Sequence, residues 1–276
     1  MSESYKVLVD ENQFLTFLER LGDIFPEETY LVNTAFRSKK LTDEERKFLG
    51  ARNREVYLTK NLRGSDGFRV DTENAVQKMY ELEVPFKALT FNKGTPEEVT
   101  LPQKAMTTFI CCNPANEKKV AMEHLLASIK TMENAILASD GGVDAKNQLC
   151  HQNTDFRSER MKFTRTKFID FDIDIGNIES LDRDKIKDFI KKFFKEAKIF
   201  VNLNGMVVST NGGFHVLVDK NCIKGNPNAF ACDLSKYLTA IENCEVEEVK
   251  FKSESCMIPC PGILQYGTWI VKWEEL

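Results

Sequence analysis

Hydrophobic and polar positions along this chain repeat with two periods, one of two residues and one near three and a half. Residues 168 to 175 read Phe-Ile-Asp-Phe-Asp-Ile-Asp-Ile. A strand there puts Asp170, Asp172 and Asp174 on one face, in the apolar context expected of a core sheet. Strand-like runs at residues 205–209 and 214–219 flank Thr210-Asn-Gly-Gly213, a turn suited to positive φ, and predict a hairpin over residues 205–219. Further strands are expected at residues 30–35, 54–58, 86–91, 106–112, 245–251 and 269–273. Helical spacing covers residues 12–21, 42–49, 117–138, 180–198 (with Ser180 as N-cap) and 228–241. In residues 117–138, the apolar positions Val120, Met122, Leu125, Leu126, Ile129, Met132 and Ile136 predict a buried stripe. In residues 180–198, Ile186, Phe189, Ile190, Phe193 and Phe194 turn inward and lysines turn out. Residues 60–67 and 258–262 read as loops, and residues 139–158 as a flexible connection. The sum is an α+β fold with its chemistry gathered on one sheet.

Composition narrows the setting. The chain has 276 residues, 42% of them hydrophobic, which suffices for one large domain or two small ones. It has no apolar run near the roughly 18 residues that cross a bilayer, and its opening Met1-Ser-Glu-Ser-Tyr-Lys6 lacks the layout of a secretory signal. A soluble, cytoplasmic protein with no membrane partner is expected. Eight cysteines without a Cys-x-x-Cys pair suit a reducing compartment. Cys256 and Cys260, with Cys244 or with Cys150 and His151, match no familiar zinc spacing, so structural zinc is not expected. The net charge of −4 argues against a protein that coats nucleic acid nonspecifically. A local basic run, Arg157, Arg160, Lys162, Arg165 and Lys167, nevertheless leads into the aspartate strand. Such a run is either a solvated face or positive charge set beside the carboxylates.

Same-face aspartates repel one another, and burial adds a desolvation cost, so the strand calls for a divalent cation. His215 follows the glycine turn directly. A glycine turn lets an anionic group approach backbone amides, imidazole adds a donor, and Ser209, Thr210 and Asn211 offer hydroxyl and amide contacts.

Taken in order, the Ile-Asp-Phe-Asp strand, an amphipathic helix, the Ser-x-x-Gly-Gly-Phe-His hairpin, an acidic strand and Pro259-Cys-Pro-Gly-Ile-Leu-Gln265 resemble the catalytic core of the archaeo-eukaryotic primase superfamily. The resemblance is specific over residues 160–273 and looser upstream. It implies a primase-like fold with an RRM-like catalytic sheet, packed helices and an N-terminal α/β portion (residues 1–100) joined in one unit to a catalytic module (residues 101–276). It also implies a template-directed nucleotidyltransferase, a DNA primase or primase-polymerase, acting on single-stranded DNA with NTP or dNTP and two Mg²⁺ or Mn²⁺ ions. By motif, Asp170 and Asp172 would hold the cations, and His215, with Ser209 nearby, would meet the triphosphate. The family's third acid falls near Glu247 by spacing from Pro261, with Glu245 and Glu248 on the same short strand. Asp174 has no fixed role in the pattern. Relatives carry a basic residue in the turn where this chain has Asn211-Gly-Gly, so positive charge is expected from Arg165, Lys167, Lys250 or Lys252. The chain has no Gly-x-x-x-x-Gly-Lys-Ser/Thr loop, which implies a separate helicase or accessory subunit. A stand-alone core of this kind would suit a phage, working in the host cytoplasm. The rival readings are an inactive relative that binds nucleotide or DNA, a metal-dependent nuclease, and an unrelated calcium-binding α+β protein.

Overall fold

The computed structural model describes residues 5–37, 40–49, 55–64, 70–84, 87–92, 95–137, 160–253 and 256–276. Its helices are α1 (Glu11–Leu21), α2 (Asp43–Leu49), α3 (Thr72–Tyr80), α4 (Glu117–Leu137), α5 (Arg183–Glu196) and α6 (Pro227–Thr239). Its strands run β1 (Glu28–Phe36), β2 (Glu55–Leu62), β3 (Lys87–Asn92), β4 (Thr95–Thr100), β5 (Met106–Cys111), β6 (Ala115–Asn116), β7 (Phe168–Ile175), β8 (Gly205–Thr210), β9 (Gly213–Asp219), β10 (Val246–Lys252), β11 (Met257–Pro259), β12 (Leu264–Gln265), β13 (Trp269–Ile270) and β14 (Lys272–Glu275). The class is α+β, built on antiparallel sheets.

Two five-stranded sheets carry the fold. One is ordered β11-β5-β1-β2, with β6 also on β1, and the other β10-β7-β9-β8-β14. The first sheet draws β5 and β11 from beyond residue 100, so the expected division at that residue does not follow a sheet boundary. Non-local pairing explains the difference: β5 aligns with β1 from Val32↔Ile110 to Phe36↔Met106.

The second sheet is closed on one face by α5 and α6. Phe171, Ile173, Phe214 and Val216 meet Ile186, Ile190, Phe194, Phe230 and Leu234 in one buried cluster. Phe171 lies edge-on to Phe194 and Phe230, at 5.3 Å from each ring centroid. Helix α5 starts later than Ser180 suggests. Ser180 ends a short 3₁₀ turn, and the Asp182 carboxylate caps the helix by accepting from the Lys185 amide. The other face, through Phe168, Met206, Val208 and Leu217, shares a core with Ile110, Cys112 and Ile258 of the first sheet.

Helix α4 departs most from expectation. It forms where the spacing places it, but of the stripe only Val120 is buried, while Met122, Leu125, Leu126, Ile129, Met132 and Ile136 expose 52 to 83% of their surfaces. The period reports an amphipathic helix, not whether the same chain covers it. Two elements carry little periodic signal: α3, which buries only Ala75 and Met79, and β4. Strand β2 runs on into the expected 60–67 loop, and Met257–Pro259 pair as β11 where a loop is expected.

Cys256 and Cys260 are buried in the core shared by the two sheets, whereas Cys244 lies in the α5–α6 cluster, so these three do not converge. Cys150, His151, Arg157 and the 139–158 connection lie outside the described residues. Among the described residues no helix is long and apolar enough to cross a membrane.

Candidate functional site

The site is built on β7, β9 and β10. Register sets Asp170 opposite Leu217 on β9 and Lys252 on β10, Asp172 opposite His215 and Lys250, and Asp174 opposite Gly213 and Glu248. Directly opposed residues share a face, so the aspartates, His215 and the two lysines lie together, turned away from Phe171. Gly213 is what lets the hairpin seat here: a Cβ on it would fall 1.9 Å from the Ile173 carbonyl oxygen.

Asp170 is fully buried and His215 nearly so, with Nδ1 at 3.1 Å from both Asp170 carboxylate oxygens and 3.5 Å from Asp172 Oδ1. Lys252 Nζ pairs with Asp172. Burial pulls the His215 pKa down, but the Asp170 and Asp172 carboxylates outweigh it and leave it raised. Burial pushes Asp172 up, and His215 with Lys252 more than reverses it, so its carboxyl sits below the usual range. Lys252 is raised despite burial, through the same pair. With His215 protonated, two carboxylates face two cations. The acidic pair is therefore balanced from within the protein.

Other candidates land elsewhere. Ser209 is opposite Phe214, so its side chain lies on the α5–α6 face, away from His215. Arg165 is drawn to Glu28, 2.6 Å from Oε2, and stacks on Phe25. Lys167 donates to the carbonyls of Leu21, the last residue of α1, and of Asp23 just after it, where burial lowers its pKa to about 8. Both basic side chains are thus engaged away from the aspartates, Arg165 with Glu28 of β1 and Lys167 with the C-terminal end of α1. Glu247 is the extra residue of a bulge between Val246 and Glu248, next to Gly176, rather than beside Asp170 and Asp172. Opposite those two aspartates β10 offers lysines, and the nearest acid on that face, Glu248, is at Asp174 and paired with Lys250. Glu245 precedes the strand.

No family model, curated protein or solved structure matches the chain.

The turn shows what sequence reasoning missed. The Arg183 guanidinium donates to the carbonyls of Thr210 (2.7 Å) and Asn211 (2.8 Å) and lies 3.9 Å from the Trp269 ring centroid. The Asn211 amide donates to Gln265 Oε1, and Lys40 Nζ donates to Asn211 Oδ1. The Thr210 hydroxyl donates to the Gly213 carbonyl. The Asn211 amide is thus already engaged, and the basic groups beside the turn are Lys40 and Arg183. One signal was available: Arg183 opens α5, where a cation opposes the helix dipole, so it serves something else. Between turn and bulge lies a cleft of about 330 Å³ lined by Lys40, Asp174, Gly176, Asn211, Gly212 and Glu247 among others.

Among the described residues, no group of three His, Cys, Asp or Glu side chains forms a ready-made cation site. Asp170 and Asp172 are hard oxygen donors at adjacent same-face positions, and Mg²⁺ is commonly held by one or two carboxylates plus substrate phosphates. The pair fits such an ion. The third acid that a two-cation arrangement would use is not brought to it.

Proposed function

We propose that the chain is a template-directed nucleotidyltransferase, a DNA primase or primase-polymerase with a primase-like fold, using single-stranded DNA and NTP or dNTP. The observation that carries the reading is the Asp170–His215–Asp172–Lys252 cluster on one sheet face, with a glycine turn at its end. Asp170 and Asp172 would hold Mg²⁺ or Mn²⁺. Bound cations of this kind lower the pKa of an attacking 3′-hydroxyl and stabilise the leaving pyrophosphate. Asp170 orients His215 through Nδ1, which leaves Nε2 to donate to a phosphate oxygen. Lys252, paired with Asp172, would supply charge to the triphosphate, and Lys40 and Arg183 stand beside the turn. No protein nucleophile takes part. A separate helicase or accessory subunit would open the duplex.

A second reading, an inactive relative that binds nucleotide or DNA, is favoured by one feature: lysines stand opposite both aspartates. One assay separates the two. The protein is incubated with unprimed single-stranded DNA, Mg²⁺ or Mn²⁺ and labelled nucleotides, beside an Asp170→Ala/Asp172→Ala control. Products made without a primer and lost in the control support a primase, and extension of a supplied primer alone supports a polymerase. Nucleotide binding with no product supports the second reading, and shortened DNA a nuclease.

A further inference from the structure

Five exposed apolar residues of α4, Met122, Leu125, Ile129, Met132 and Ile136, are spaced 3, 4, 3 and 4 residues apart. That is the a/d repeat of a coiled coil, widened on one flank by Leu126 at an e position. It extends along roughly 21 Å of helix. Flanking it, one per heptad at the e position, are Lys119, Leu126 and Glu133, all exposed. We infer that α4 is a homodimerisation helix, packing antiparallel against α4 of a second copy across a two-fold axis.

The flank decides both occupant and direction. In an antiparallel pair, e positions face e positions. A two-fold axis near residue 126 then sets Lys119 against Glu133 of the partner subunit, twice by symmetry, with Leu126 meeting its own counterpart at the centre. Helix α4 is therefore complementary to itself. A parallel pair would instead set Glu133 against the partner's Ser128 and Leu126 against the partner's Ala121, leaving both charges unused. Two heptads make a small interface, so the dimer is a weak, concentration-dependent one. The inference does not depend on the proposed activity.

Sedimentation velocity on the full chain, from about 1 to 200 µM, tests it. The expected result is a monomer–dimer equilibrium that Ile129→Glu abolishes while leaving the melting temperature of the monomer unchanged. Lys119→Glu and Glu133→Lys alone each weaken the dimer by about tenfold, and the double reversal restores it. Three results would overturn the inference. The first is a monomer at every concentration with Ile129→Glu harmless, which would leave the stripe to a different protein. The second is a monomer that Ile129→Glu unfolds, which would mean that residues of the same chain cover it. The third is a dimer indifferent to Ile129→Glu or to the charge reversals.

Discussion

Strand β7 has two faces made by one repeating pattern, and they are stabilised in opposite ways. On one, Phe171 and Ile173 are enclosed by α5 and α6, and the aromatic rings of Phe194, Phe200 and Phe230 surround Phe171 at 5.3 to 6.4 Å. On the other, Asp170 is equally buried but held by His215 and flanked by the Asp172–Lys252 pair. The apolar face gains from every contact that excludes water. The acidic face is a set of desolvated charges whose mutual attraction offsets the cost of burial, so it is weak ground for stability and strong ground for function. Stability and chemistry thus divide across about one strand's thickness.

The sharpest break between the faces is functional. Asp170→Ala/Asp172→Ala should reduce nucleotide incorporation by at least about 10³-fold while the far-UV circular dichroism stays native. A double variant that remains active would remove the acids from the mechanism. On the other face, Phe171→Ala should cost about 3–5 kcal/mol in denaturant unfolding, because it empties the centre of the ring cluster. A loss below about 1 kcal/mol would mean that the cluster repacks, and the contrast would fail.

How much of this could be read from the amino acids is clearest in two helices. Both α4 and α5 show apolar residues at helical spacing. In α5 the stripe is buried as Ile186, Ile190 and Phe194, while in α4 it is bare beyond Val120. Periodicity fixes which side of a helix is apolar, but what covers that side is a long-range fact. The site divides the same way. Asp170, Asp172, His215 and Lys252 meet because period-two patterns set faces and the hairpin turn sets register. Glu247 was beyond such reasoning, since a one-residue bulge moves it out of phase with the alternation. Arg165 and Lys167 are next to the aspartates in sequence but are claimed by Glu28 and the end of α1, partners some 140 residues away. Lys40 reaches the turn from 171 residues upstream, and Arg183 from 27 residues upstream across the whole of α5.

Lys252 is the residue through which the acidic face can be tuned. Lys252→Glu places a third carboxylate opposite Asp170. Without divalent ions it should destabilise the protein by about 2 kcal/mol, through lost pairing and new repulsion. Mn²⁺ should recover that loss and raise the melting temperature of the variant more than that of the wild type. If Mn²⁺ stabilises neither protein, the cation reading of the face fails, and the reading of an inactive binder gains.

The smallest expected effect is the pH dependence of the metal-free protein. His215 has a raised pKa because Asp170 and Asp172 overcome its burial. The folded protein therefore keeps that proton to a higher pH than the unfolded chain, whose histidine titrates near 6.5. The stabilisation is complete below that value and drains away as pH rises through the folded-state pKa, at a slope of no more than about 1.4 kcal/mol per pH unit. Asp172 acts in reverse: its contribution holds above about 3.8 and is lost as pH falls through its lowered folded value. From about pH 8 upward the depressed Lys167 works against the histidine, because the unfolded chain still binds the proton that the folded one has released. The measurement must therefore be a difference. Urea unfolding of wild type and His215→Asn in EDTA, between pH 5.5 and 8, should show the wild type losing more stability as pH rises. Parallel curves would mean that the His215 proton is not held by the aspartates, and the charge balance of the acidic face would have to come from Lys252 alone.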